Sequence, residues 1–238
     1  MPTWIDLLYV ACFAVASPLY GYFVFWPKFQ RRKATSPTQA RWSLWKTSTV
    51  EYWLIVAVGV ALWLWFDRPW AELKFARPEG WGFVAVSVLI AAYAAYQLYA
   101  IAALRRDAAL RDTLRANFVG DVADVLPRTR NETAMFTVVS ITAGFCEEFL
   151  FRGFFLWAIA PWLGWWGAAA VSLAIFALGH AYQGAKGVIQ TGVFGAFYTA
   201  IVWLTDSLWP AIVSHVLVDA FAGVMAWIAL RDEAPLER

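Results

Sequence analysis

Two adjacent carboxylates and an arginine interrupt an apolar run at residues 145–153, Phe-Cys-Glu-Glu-Phe-Leu-Phe-Arg-Gly. On a helix Glu148 and Arg152 stand four apart and can pair on one face. Glu147 is turned by about 100° from Glu148, so the two carboxylates have different tasks. One division has Arg152 holding Glu148 while Glu147 faces a cavity; the other is an internal salt bridge that only joins helices. The chain has 2 histidines, His180 and His215, each within an apolar stretch, and Asp219 follows His215 by four positions. A glutamate with two imidazoles and a nearby carboxylate suits a divalent ion with an open position for water. Zinc held by Glu147, His180 and His215 is the first such set. The same residues can polarise water directly, with the carboxylate as base and imidazole donating to a developing oxyanion. Both routes lead to hydrolysis. No His-Glu-x-x-His and no Gly-x-Ser-x-Gly occurs in the chain. Ser214 and His215 are adjacent and would not face each other on a helix. Cys146 adjoins Glu147, whose charge opposes thiolate formation.

These groups need an unusual setting. The chain is 61% hydrophobic and 15% charged, whereas a soluble domain is about 45–50% apolar and about 25% charged. Its solvent is therefore largely lipid, where one charge at the bilayer centre costs about 2.5–3.5 kcal/mol on the mildest scale. With a net charge of +2 and no basic block interleaved with aromatics, nothing points to nucleic acid. Cys12 and Cys146 lie in apolar runs and read as small buried hydrophobes. A spanning helix takes about 20 apolar residues. Seven stretches qualify or nearly so: 4–26, 50–66, 81–104, 134–160, 162–181, 188–204 and 208–230. The first is too long for a signal-peptide core and reads as a retained helix. In the sixth, Gly192 and Gly195 would let a neighbouring backbone come close. Tryptophans mark many span ends, as interfacial belts do. Arg and Lys crowd the connections 27–49 and 105–131 and are sparser in 67–80. Positive-inside reasoning puts the first two in the cytoplasm, the N-terminus outside and the C-terminus inside. In the third connection Leu110, Leu114, Phe118, Val122 and Val125 recur at helical spacing. That spacing suits an amphipathic helix on the membrane surface, or a solvated connector with incidental periodicity. The expected architecture is all-α and polytopic, with about seven transmembrane helices. It divides into an N-terminal part (1–131), a helix bundle carrying the polar site (132–231) and a short charged tail (232–238).

Three motifs follow in order: Glu147-Glu148-Phe149-Leu150-Phe151-Arg152, Phe176-Ala177-Leu178-Gly179-His180 and His215-Val216-Leu217-Val218-Asp219. In order and spacing they resemble the CPBP intramembrane proteases, relatives of the type II CAAX prenyl endopeptidase, over about residues 134–230. The resemblance implies that Glu147 activates the hydrolytic water, that His180 helps to hold the water or a metal, and that Glu148 and Arg152 support them. His215 and Asp219 would face the scissile carbonyl; the prenyl-protein members have Asn where this chain has Asp219. It further implies a peptide or protein substrate met at the lipid bilayer, in a bacterial plasma membrane. Buried Glu, His and Asp also form proton relays, so an ion-coupled transporter is the competing class. No inverted repeat or pair of broken helices supports it. A silent membrane scaffold is the third.

Overall fold

The computed structural model describes residues 1–118 and 120–231, except for the side chain of Asp121, and every regular element among them is helical. The charged tail at 232–238 lies outside the described residues. The elements are α1 (Trp4–Lys33), α2 (Pro37–Trp65), α3 (Gly80–Arg106), α4 (Ala108–Asn117) and the short α5 (Asp121–Val125). There follow α6 (Arg130–Glu147), a π-helical segment (Glu148–Phe155), α7 (Leu156–Gly179), α8 (Gly184–Thr205) and α9 (Leu208–Leu230). Six helices among the described residues are long and apolar enough to cross a membrane, and the protein is a polytopic all-α membrane protein.

The expected count of about seven differs from six because Arg130–Gly179 forms one apolar stretch of 50 residues. At about 1.5 Å per residue it would reach about 75 Å, far beyond a hydrocarbon core of about 30 Å. It does not run straight. Gly164, three residues after Pro161, adopts φ 66° and ψ 167°, which only glycine takes at low cost. Beyond that break α7 returns along the π-helical segment, where the Ser172 hydroxyl donates to the Phe151 carbonyl at 3.1 Å and the Phe151 and Phe176 rings meet edge-on at 5.2 Å. The two stretches expected at 134–160 and 162–181 are thus the two limbs of this folded element.

The first connection is much shorter than hydropathy alone implies. Pro37 opens α2, a position that suits proline because the missing N–H has no intrahelical partner. The helix therefore starts well before 50 and carries Arg41 and Lys46 on its first turns. Arg41 is buried against Glu132, Nε to Oε1 at 2.8 Å. Glu132 also completes the capping box of α6, accepting from the backbone N–H groups of Arg128 (2.8 Å) and Thr129 (3.2 Å). Asp6 does the same for α1, receiving the Thr3 N–H while Arg68 clamps it at 2.8 and 2.7 Å. Two buried acids thus cap helices and hold neighbouring elements together. The 67–79 connection is fastened to the α8–α9 turn by Leu208 N–H to Lys74 carbonyl (2.8 Å) and Ser207 hydroxyl to Ala76 carbonyl (2.8 Å).

The third connection lies mostly against the protein rather than free on a membrane surface. Leu110 is exposed, but Leu114 packs with Ile101, Leu104 and Ile228, and Phe118 and Val122 pack with Leu126, Ala226 and Leu230. The Arg115 guanidinium donates to the Ala229 carbonyl at 2.8 Å. Most of the apolar face therefore covers the ends of α3 and α9.

α6 and α9 come close at Gly144, where a Cβ would stand 2.9 Å from the Val216 nitrogen and 3.2 Å from its Cα. Backbone would have to move, and Val216 adjoins His215. Gly144→Ala is expected to destabilise the protein by about 1–3 kcal/mol, as overpacking does. Gly192→Ala, whose Cβ would meet only the Ala177 Cβ at 3.6 Å, should stay within about 0.5 kcal/mol of wild type. Thermal unfolding in detergent checks both.

Candidate active site

Helix geometry changes where the chemistry begins. Glu147 ends α6 and Glu148 opens the π-helical segment, whose i→i+5 bonding widens the turn. Residues four apart still fall close together, and Arg152 Nη1 lies 3.1 Å from Glu148 Oε1. Both side chains are almost wholly buried, at 1% and 0% exposure.

The guanidinium is enclosed on every side. Nη2 donates to the Gly195 carbonyl at 2.9 Å, Nε reaches the Thr199 hydroxyl at a long 3.4 Å, and the plane lies over the Phe176 ring at 4.3 Å. A Cβ at Gly195 would stand 2.9 Å from Nη2 and 3.0 Å from the Phe176 ring. Gly195 thus admits a charged side chain, where the sequence suggested an approaching backbone; Gly192 has ordinary space around it.

His215 enters from α9 and joins the same carboxylate. Its Nδ1 is 2.9 Å from Glu148 Oε1. An ionised carboxylate only accepts, so Nδ1 carries a proton and Nε2 is turned the other way. The imidazole stacks on Tyr198, with centroids 4.5 Å apart and planes within 15°. Nε2 then lies 3.8 Å from Glu147 Oε2 and 3.6 Å from Asp219 Oδ2. Both gaps are too long for a direct hydrogen bond and short enough for one oxygen atom to serve both sides. Glu147 is held from its other end, where Oε1 accepts from the Tyr52 hydroxyl at 2.6 Å. Asp219 is the most open member, its side chain 36% exposed.

Five of the six residues singled out in the sequence (Glu147, Glu148, Arg152, His215 and Asp219) therefore form one connected cluster. His180 stands apart. It caps the end of α7 (φ −97°, ψ 16°) rather than lying within a spanning helix, and its Nδ1 donates to the Phe176 carbonyl at 2.8 Å. Among the described residues no hydrogen bond or ion pair joins it to the other five. Tyr52, Tyr198 and Thr199 also contact the cluster and belong to none of the sequence motifs. Their only sequence signal is a polar tip in an apolar helix, and tyrosine and threonine carry such tips routinely. Glu147, His180 and His215 are donor types that suit zinc; among the described residues no three His, Cys, Asp or Glu side chains are gathered into a group that could hold an ion.

What the fold and site define is a membrane-embedded carboxylate–imidazole centre with a buried arginine beneath it. Residues 129–221 match the type II CAAX prenyl endopeptidase Rce1-like family, and the chain carries a domain of this family of proteases. The match begins at Thr129, the cap of α6, and takes in all six residues of the sequence motifs; Tyr52 lies outside it. No curated protein and no solved structure matches the chain.

Breaking a buried pair from one side leaves an uncompensated charge, at a cost of about 3–5 kcal/mol. Arg152→Met is expected to destabilise the protein by that order in thermal unfolding. Adding Glu148→Gln should return part of the loss, since the stranded carboxylate goes with it. Additive losses would contradict the pairing.

Proposed function

We propose that this protein is an intramembrane endopeptidase in which Glu147 is the general base and His215 the oxyanion donor. The observation that carries this reading is the facing pair, Glu147 Oε2 and His215 Nε2 at 3.8 Å, each fixed from its far side by another residue. A substrate water between them loses a proton to Oε2 as its oxygen attacks the scissile carbonyl carbon. Negative charge develops on the carbonyl oxygen, where protonated His215 donates from Nε2. Glu148 steadies that imidazolium, as the buried carboxylate of a catalytic triad does. When the C–N bond breaks, the proton held on Glu147 passes to the leaving amine. One peptide bond and one water become a carboxylate and an amine, and Glu147 is restored. Asp219, on the open side, orients His215 and meets the substrate. His180 donates through Nδ1, so Nε2 is left to accept from water or substrate.

The substrate is a peptide or protein met at the bilayer. The basic ends of α1, α2 and α3 face the cytoplasm in this reading, with the N-terminus outside. The C-terminal helices from about residue 132 supply the reacting groups.

Glu147→Gln keeps the shape and removes the base. Wild-type protein in lipid vesicles should cleave members of a panel of membrane-anchored peptides, read by mass spectrometry, and the variant should lose at least about 100-fold in rate while unfolding at the same temperature. Cleavage retained by the variant would sink the assignment. Elemental analysis of wild type and of the His180→Ala, His215→Ala double variant decides whether zinc joins these side chains. No metal in folded, active wild type leaves Glu147 acting on water directly. About one equivalent lost with the histidines would make them ligands and replace the mechanism above.

A further inference from the structure

Glu147 has two carboxylate oxygens: Oε2 stands 3.8 Å from His215 Nε2, while Oε1 meets Tyr52. We propose that Tyr52 is a positioning residue that occupies Oε1 and thereby keeps Oε2 turned to the reacting water. The proposal rests on the protease reading and adds to it a residue on α2, outside the 129–221 family match.

The contact is short and directed. Tyr52 Oη stands 2.6 Å from Oε1, and because a carboxylate accepts only, the phenol donates. The terminal torsion of a glutamate is broad and roughly two-fold. Without a partner at Oε1 the carboxylate would rotate and spread Oε2 over directions that do not meet His215. The phenol itself has little freedom, because its chain neighbours are tied down separately. Glu51 accepts from the Ser17 hydroxyl of α1 at 2.8 Å. Trp53 donates to the Thr142 hydroxyl of α6 at 3.1 Å and stacks on Phe145, with centroids 5.4 Å apart and planes within 20°. Three consecutive residues of α2 thus engage α1, the base and the body of α6. Trp53 already supplies the tie between α2 and α6, so structural attachment does not require the Tyr52 hydroxyl.

The test compares Tyr52→Phe with Trp53→Phe in the full-length protein. A difference infrared spectrum between each background and the same background carrying Glu147→Gln isolates the Glu147 carboxyl band, with no need for turnover. Kinetics are read on the best-cleaved peptide of the membrane-anchored panel, and thermal unfolding confirms the fold. The band is expected to move in Tyr52→Phe and to stay in Trp53→Phe. With it kcat should fall about 10- to 100-fold, the scale of a misplaced reacting group, while KM stays within about twofold. An unmoved band overturns the proposal, as does an unchanged kcat or a loss carried by KM. Equal effects of the two variants would make Tyr52 a helix tie only. If wild type cleaves no peptide in the panel the protease reading fails. The infrared comparison then still decides whether Tyr52 fixes Glu147.

Discussion

A guanidinium buried among apolar helices is the constraint on which this structure depends. Arg152 cannot release its proton under any ordinary condition, so the charge must be met where it stands. The protein meets it with one carboxylate, one backbone carbonyl and the face of a phenylalanine, drawn from the π-helical segment, α8 and α7. Burial of such a pair is weak evidence for stability. What it provides is a fixed Glu148, and Glu148 in turn holds the Nδ1–H and the heading of His215. Orientation passes along a line of three charged or polar groups to the one nitrogen that faces Glu147.

Around that line, small side chains matter as much as charged ones. Gly195 makes room for the guanidinium, and Gly144 lets α9 come near enough for His215 to reach Glu148. Gly164 folds the long apolar stretch so that Phe176 returns to cover Arg152. The π-helical turn belongs to the same economy of space. It widens the helix where every residue from Glu148 to Phe155 is buried, Arg152 and four phenylalanines among them. Asp219 is the most exposed side chain of the cluster, and in the proposed reaction it marks the side from which water would enter.

The sequence shows some of this and hides the rest, for reasons that can be traced. The Glu148–Arg152 pair is local, and four-residue spacing reveals it. His215 is different: its spacing suggests Asp219 as partner, yet the hydrogen bond goes to Glu148, 67 positions away, and Asp219 stays at 3.6 Å. Hydropathy finds the membrane segments because lipid selects them. It misjudges α2, where Arg41 is buried against Glu132 and the helix runs through a charge that a window average counts as loop. His180 falls at a helix end because the backbone turns between Gly179 and Gly184, two glycines whose signal is weak inside a long apolar stretch. Tyr52 was not legible at all; a tyrosine in an apolar helix is ordinary, and only its three-dimensional neighbour makes it specific.

Isotope incorporation tests most directly whether the buried cluster hydrolyses a peptide bond with water. Purified protein in lipid vesicles would be given a membrane-anchored peptide in water enriched in oxygen-18, and the fragments weighed. Cleavage at one bond, with one heavy oxygen in the new carboxylate and none in the amine fragment, is the predicted result. Folded wild-type protein that leaves every peptide intact, or releases fragments without the heavy oxygen, would contradict it.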